Sequence, residues 1–368
     1  MKILFGMPSK DSWGGVIVTE PPFVEAIRNL DVEAVEEIYV YGDKEKPTPF
    51  FERVRRVLKT AFLFRKLLKH NNFDLIHLNT SFDLKTILRD SFSIFLMNPK
   101  RTKIFLKLHG TAADDFFKTN FVIRFLINYL KNRVDGFGIH TIEEKASFLK
   151  IGFDEKKFYF VKNAVVIHEN LTEKFSRQHK APADSFELLF AARFIPTKGT
   201  LETIRACAIL RDIGLNFTLH CIGDGEINDD VAAEVKKLNL QNYIKLPGYI
   251  PLEELLEYFF KTDLFIFPTR HIEGFPMVLF KSVAVGMPIV TTEIRAAADF
   301  LKDNENCLFC TQNPENIAQK IMELIENQQL RETMSQNNLL LGKSLLPENI
   351  AEEFLEIYRH IANPKSKI

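Results

Sequence analysis

The residues best suited to chemistry lie in one run, Pro268-Thr269-Arg270-His271-Ile272-Glu273-Gly274-Phe275-Pro276-Met277-Val278-Leu279-Phe280-Lys281. An apolar stretch ends at Phe267, a polar loop follows, and a helical pattern starts at Met277. A loop entering a helix offers backbone N–H groups without intrahelical partners and the positive end of the helix dipole, which together suit an anion. Gly274 lets the backbone come close to a ligand. The Glu273 carboxylate could accept hydrogen bonds from sugar hydroxyls or cap the helix that follows. A second segment, Arg193-Phe194-Ile195-Pro196-Thr197-Lys198-Gly199-Thr200, sets two cations five residues apart around a turn. They could grip a diphosphate from two sides, at roughly 1.5–3 kcal/mol per charge-assisted contact. They could equally be solvated surface charges.

Strands and helices must position these groups. Apolar runs predict strands at Lys2–Met7, Glu37–Tyr41, Asp74–Leu78, Lys103–Leu108 and Gly136–Ile139, with helices around Phe23–Leu30 and Arg53–Lys69. Residues 163–185 lose periodicity and read as a linker. A second alternation follows, with strands at Glu187–Ala191, Asn216–Ile222, Tyr243–Leu246, Leu264–Phe267 and Pro288–Thr291. Its helices are predicted at 201–213, 252–260, 277–285, 314–326 and 347–361. Strand–helix alternation of this kind predicts parallel α/β sheets covered on both faces. The expected organisation is an N-terminal domain at 1–165, a linker at 166–185, a C-terminal domain at 186–345, and a terminal helix at 346–368 packing back toward the N-terminal domain.

Composition narrows the function. The chain has 368 residues, is 46% hydrophobic and 26% charged, and balances 48 Lys+Arg with 48 Asp+Glu. That balance argues against a nucleic-acid partner and against an acidic disordered tail. The charge is unevenly spread: residues 1–165 hold 27 Lys+Arg against 20 Asp+Glu, a surplus of +7, which leaves −7 for the remainder. Arg53–Lys69 carries seven cations and no acid beside an apolar stripe, as a core-packed helix with a solvated basic face would, or one resting on anionic lipid. Four cysteines are too few for a disulfide scaffold. Cys307-Leu308-Phe309-Cys310 lacks a second ligand pair, and the nine histidines lack metal-ligand spacing, so no metal is expected. The opening apolar run is too short for a signal peptide and no run reaches transmembrane length, which predicts a cytoplasmic protein, peripheral at most to the inner membrane face. Phenylalanine is abundant, at 34 residues.

Taken in order along the chain, the motifs resemble a glycosyltransferase of the GT-B fold, specifically the large retaining family four, or glycosyl transferases group 1. The resemblance is carried by Gly14-Gly15 after the first strand, His109-Gly110, Arg193 with Lys198-Gly199, and Ile222-Gly223-Asp224-Gly225. It continues through Pro247-Gly248-Tyr249-Ile250, Glu273-Gly274-Phe275-Pro276 and Gly286-Met287-Pro288-Ile289-Val290. It implies two doubly wound, Rossmann-like domains facing each other across a cleft, the first binding an acceptor and the second a nucleotide sugar. By position, Arg193 and Lys198 would bind the donor diphosphate, near N–H groups of Gly14 and Gly15. Glu273 would hold the donor sugar beside backbone groups of Gly274, Phe275 and Met277. Tyr249 and Ile250 would lie near the base, and His109 beside the reacting carbon. The implied reaction transfers a sugar with retention from a UDP- or GDP-linked donor to a saccharide or lipid-linked acceptor, without cofactor or metal, in polysaccharide or glycolipid synthesis.

One departure stands out. The family usually has a second Glu eight positions after the first, where this chain has Lys281. A lysine has three donors and no acceptor, so it cannot take two ribose hydroxyl protons as a carboxylate does. This leaves open a catalytically silent sugar-nucleotide binding subunit, or a nucleotide-sugar epimerase on the same fold. Arg295, in a segment where relatives often have glycines, could add a phosphate-facing cation. Gly223-Asp224-Gly225 has no third glycine at the dinucleotide spacing and reads as a tight strand-to-helix turn.

Overall fold

The structure is a computed structural model that describes residues 1–9, 15–39, 49–110, 116, 121–167 and 185–363. The chain divides into two compact units: Met1–Ala164 with Ile272–Phe275 and Leu345–Ile368, and Val165–His271 with Pro276–Ser344.

The first unit is built on six parallel strands: β1 (Lys2–Met7), β2 (Glu33–Ile38), β3 (Leu75–Thr80), β4 (Lys103–Leu108), β5 (Gly136–Ile139) and β6 (Phe158–Phe160), in spatial order β2-β1-β3-β4-β5-β6. Alternation along each strand sends side chains to opposite faces. Leu4, Ile76, Leu78, Leu106 and Phe137 pack under helices α2 (Phe50–His70), α3 (Leu84–Met97), α4 (Phe121–Arg133) and α5 (Ile142–Lys150). Ile3, Phe5, Leu75 and Phe105 pack under α1 (Gly15–Arg28) and the C-terminal helix Pro347–Ala362.

Two elements differ from the sequence expectation. Helix α1 starts at Gly15 rather than Phe23 and runs through Pro21 and Pro22. Proline removes helix hydrogen bonds, but Thr19, Glu20, Phe23, Val24 and Ile27 are all buried, and that burial holds the continuous helix. Strand β2 spans Glu33–Ile38 rather than Glu37–Tyr41, because its ladder with β1 starts at Lys2↔Glu33. Tyr39 closes it, and its hydroxyl donates to buried Asp90 at 2.9 Å.

The second unit holds β7 (Phe186–Ala191), β8 (Phe217–Ile222), β9 (Ile244–Gly248), β10 (Leu264–Phe267), β11 (Ile289–Thr292) and β12 (Leu308–Cys310), in order β12-β11-β10-β7-β8-β9. Counted from its own first strand this is 6-5-4-1-2-3, the order of dinucleotide-binding Rossmann domains, with the direction of winding reversing between β7 and β10. Its helices, after the five of the first unit, are α6 (Thr200–Asp212), α7 (Asn228–Lys237), α8 (Leu252–Lys261), α9 (Met277–Ala284), α10 (Arg295–Phe300), α11 (Pro314–Glu326) and α12 (Gln328–Lys343), leaving Pro347–Ala362 as α13. Gly223 and Gly225 turn the chain over the loop after β7, where an added Cβ would stand 2.0 Å from Ala192 O and 2.4 Å from Phe194 O respectively. The Gly-Asp-Gly turn therefore packs against protein backbone.

Candidate functional site

Ligands of open α/β sheets bind beyond the carboxyl ends of the strands, where the winding reverses. In the second unit that place lies between the loops after β7 and β10. Lys198 ends the 3-10 turn Pro196–Lys198 just after β7. Its side chain is buried, with Nζ 5.3 Å from the centre of the Phe267 ring at the end of β10. The two loops are laced together. Arg270 N donates to Thr197 O at 2.9 Å, and Thr197 Oγ1 and His271 Nδ1 are hydrogen-bonded at 2.9 Å. From the loop after β12, Gln312 Nε2 donates to Pro268 O at 2.8 Å. Arg193, in the same post-β7 loop, is exposed. A buried lysine and an exposed arginine thus share one loop at the reversal point.

The other positions in this unit differ in setting. Met277 begins α9 and is half-buried. The N-cap of α9 is Pro276, with no side-chain capping bond of its own. Lys281 is buried on α9 beside Leu279, Phe280 and Ser282. Tyr249, exposed, and Ile250, half-buried, follow the edge strand β9. Arg295 opens α10 with φ 48°.

The second cluster lies in the first unit, on the sheet face that packs under α1 and α13. His77 and Asn79 of β3, Lys107 of β4 and His109 just after it follow one another at spacing two, so they point the same way. His140 directly follows β5. Lys107 Nζ donates to Glu20 Oε1 of α1 at 2.8 Å with both side chains essentially sealed from solvent. Burial alone would raise the Glu20 pKa, but Lys107 and His77 outweigh it and hold the carboxyl well below the usual range. Glu20 Oε2 lies 3.4 Å from His77 Nε2. The Tyr358 hydroxyl of α13 meets His77 Nδ1 at 2.5 Å. Burial, together with the Glu20 charge, pushes the Tyr358 hydroxyl well above its ordinary pKa, so it stays protonated and donates. This network ties α1, β3, β4 and α13 into one block.

His109 and His140 stand at the upper rim of that block, with ring centroids 5.6 Å apart. Burial, then the Lys107 charge and His140, depress the His109 pKa well below its usual value, so the ring is neutral. Its Nε2–H donates to Asn79 Oδ1 at 2.7 Å, which leaves Nδ1 as an acceptor. His140 is pushed down to about 3, by burial first and the Lys107 charge second. Its Nδ1–H donates to Val161 O at 2.8 Å. Its Nε2 lone pair is buried without a hydrogen-bond partner among the described residues. Beside these rings Gly110 (φ 73°) meets Gly274 backbone to backbone: a Cβ on Gly110 would stand 2.9 Å from Gly274 N, and one on Gly274 would stand 2.7 Å from Gly110 N. The Phe275 ring is 5.5 Å from His140. By its contacts the tetrapeptide Ile272–Phe275 belongs to this unit. The cluster can accept hydrogen bonds on two neutral imidazoles while its one buried cation is held by a carboxylate.

The structure therefore brings His109 together with Gly274 and Phe275 in one unit, with half-buried Glu273 in the same tetrapeptide, and groups Lys198 with the Thr197–His271 lacing in the other. Gly14 lies outside the described residues, and Gly15 is the exposed first residue of α1. Most of residues 166–185 also lie outside them. Glu20, His77, Lys107, His140 and Tyr358 escape the sequence reading. A lysine and a histidine inside otherwise apolar strands were the available signal for two of them. Cys307 and Cys310 are buried, and desolvation raises both thiols, that of Cys310 to about 12, so neither is a reactive thiolate. Among the described residues no group of three or more His, Cys, Asp or Glu converges on a metal position.

Known proteins resemble this chain in both sequence and fold. Residues 172–339 match the family model described as Glycosyl transferases group 1. An uncharacterized glycosyltransferase of Methanocaldococcus jannaschii is 26% identical over 315 residues, covering 85% of this chain and 83% of its own. The N,N'-diacetylbacillosaminyl-diphospho-undecaprenol alpha-1,3-N-acetylgalactosaminyltransferase of Campylobacter jejuni is 24% identical over 364 residues, covering 94% of this chain and 90% of its own. In fold, Anabaena HepE in complex with UDP and glucose superposes with a TM-score of 0.72 at 18% identity, covering 98% of this chain and 99% of that one. Sucrose-phosphate synthase from Thermosynechococcus elongatus reaches 0.74 at 15% identity, covering 98% of each chain. The shared architecture is GT-B, two Rossmann-like parallel-sheet units.

Proposed function

We propose that this chain, a glycosyltransferase whose residues 172–339 match the glycosyl transferases group 1 model, transfers a sugar, with retention at the anomeric carbon, from a UDP- or GDP-linked donor to a hydroxyl of a saccharide or lipid-linked acceptor. The observation that carries this reading is the laced pair of loops at the winding reversal of the second unit, with Lys198 anchored between β7 and β10. Lys198 and Arg193 bind the donor diphosphate and stabilise its charge as the glycosidic bond breaks. Gly14 and Gly15 add N–H groups near that diphosphate. Glu273 accepts from donor sugar hydroxyls, with backbone groups of Gly274, Phe275 and Met277 beside it. Tyr249 and Ile250 contact the base, and Lys281 lies toward the ribose. His109, neutral and oriented by Asn79, accepts a hydrogen bond next to the reacting carbon. The leaving phosphate takes the acceptor proton on the same face, so no protein nucleophile is needed. The name of the Campylobacter relative puts its acceptor on diphospho-undecaprenol, and that of a Staphylococcus aureus relative puts it in capsular polysaccharide biosynthesis. Both support a role in glycan assembly.

The test is nucleotide release from a panel of UDP- and GDP-sugars, with and without saccharide acceptors. Lys198→Ala and Arg193→Ala each lower kcat/KM by about 100-fold, equivalent to ~3 kcal/mol of transition-state stabilisation. Activity of either variant within twofold of wild type refutes its diphosphate role.

A further inference from the structure

Helix α3 buries Ile87, Ile94 and Met97 on its inner face and is apolar on its outer face as well. Its exposed positions are Leu84, Leu88, Phe92 and Phe95, broken only by Lys85, while Asp90, Ser91 and Ser93 are buried. The exposed apolar residues follow i, i+4, i+8, i+11, one stripe along the helix. Helices α2 and α4 pack on either side of α3 over the same sheet face. They continue the pattern with Phe51 at 85%, Phe121 at 81% and Phe125 at 68% exposure, along with Phe50 and Phe62. Seven of the eight exposed phenylalanines among the described residues sit on these three helices. Soluble surfaces rarely gather large apolar side chains in this way. Cations are interleaved with them: Arg55, Lys59, Arg65, Lys66 and Lys69 on α2, Lys85 on α3 and Arg124 on α4 are exposed, against two exposed acids, Glu52 on α2 and Asp83 at the N-cap of α3.

We propose that the outer face of α2, α3 and α4 is a membrane-insertion surface. Its phenylalanines enter the headgroup–acyl boundary of an anionic bilayer while the cations of α2 and α4 engage lipid phosphates. Two observations select a bilayer over a protein partner. Protein interfaces are depleted in lysine, whereas lysine beside phenylalanine on an amphipathic helix is the pattern of interfacial membrane binding. The charge is complementary to an anionic leaflet. The inference rests on the reading above only in that a lipid-linked acceptor makes a bilayer the useful surface. It departs from simple adsorption of the basic α2 face, because insertion of aromatic side chains survives high salt.

Full-length protein is co-sedimented with vesicles of phosphatidylcholine alone and of phosphatidylcholine with 30% phosphatidylglycerol, in about 0.1 M and 1 M NaCl, where the screening length drops from about 10 to 3 Å. Wild type binds the anionic vesicles and keeps a measurable share of that binding in 1 M salt. Phe92→Ser/Phe95→Ser and Phe121→Ser/Phe125→Ser each lower partitioning at least tenfold in both salts, with unchanged far-UV circular dichroism. Arg55→Glu/Lys59→Glu removes the preference for anionic vesicles. The proposal is overturned if wild type stays in the supernatant, if 1 M salt strips it completely and the Phe variants bind as wild type does, or if this face instead holds a dimer that the Phe variants split. Release of nucleotide from water-soluble donor is measured separately. Vesicle binding without it sinks the transfer reading alone, and release without vesicle binding sinks this one alone.

Discussion

Replacing Lys107 with Met removes the ammonium that is hydrogen-bonded to buried Glu20 while keeping a side chain of similar length. At 2.8 Å the pair attracts by about 6 kcal/mol at an effective dielectric of about 20, much of it offset by desolvation. Taking away one partner strands the other in the core, and that costs about 3–5 kcal/mol. With a urea m value near 2 kcal/mol/M, the unfolding midpoint of Lys107→Met falls by about 1.5–2.5 M. Glu20→Gln/Lys107→Met removes both charges of this pair and returns to within about 1 kcal/mol of wild type. The sign with pH follows from Glu20. Its folded pKa lies below the reference value of 4.5, so its stabilising share is complete above about pH 4.5 and is lost as pH falls. The gap between wild type and Lys107→Met therefore narrows in acid, where the stranded carboxyl is protonated. Urea titrations by circular dichroism at pH 7.5 and pH 4 measure all three proteins. A single variant within 1 kcal/mol of wild type, or a double variant no better than the single, refutes the argument.

Other variants test the rims of the two clusters. Gly110→Ala combines a φ of 73° with a Cβ 2.9 Å from Gly274 N, so it costs about 1–3 kcal/mol and lowers kcat/KM at least tenfold; full activity would mean the two backbones need not approach. His140 has a folded pKa of about 3 against a reference of 6.5. It stabilises the fold fully above pH 6.5, and that share is lost as pH falls toward 3, with a slope of about 1.4 kcal/mol per pH unit. His140→Asn keeps an N–H for Val161 O and should flatten the urea-midpoint profile between pH 6.5 and 4; an unchanged slope refutes the assignment. Lys281→Glu puts a carboxylate where the family resemblance implies one, and calorimetry should show nucleoside diphosphate binding tighter by about tenfold, or 1.4 kcal/mol. An unchanged Kd removes Lys281 from the nucleotide site.

Strands buried on both faces were legible residue by residue. Those expected over Lys2–Met7, Lys103–Leu108, Gly136–Ile139 and Leu264–Phe267 span those residues, because a covered parallel strand must be a short apolar run whatever its neighbours are. The α/β class with two parallel sheets follows from the same local rule. Helix α1 and strand β2 were misjudged because their limits depend on what they pack against: burial of Thr19, Glu20 and Phe23 carries a helix through two prolines, and the ladder with β1 sets where β2 begins. The ordered motifs marked Lys198 and Glu273-Gly274-Phe275 as candidates. Only the tertiary structure could bury Lys198 against Phe267, seat Gly274 on Gly110, and gather Glu20, His77, Lys107 and Tyr358 around one charge. A buried charge is tolerated only with its partner in place, and that partner comes from another element: 87 residues separate Glu20 from Lys107, and 281 separate His77 from Tyr358. Propensity and periodicity act within a few turns of chain, whereas these pairings are set by which strands lie side by side and which helices cover them.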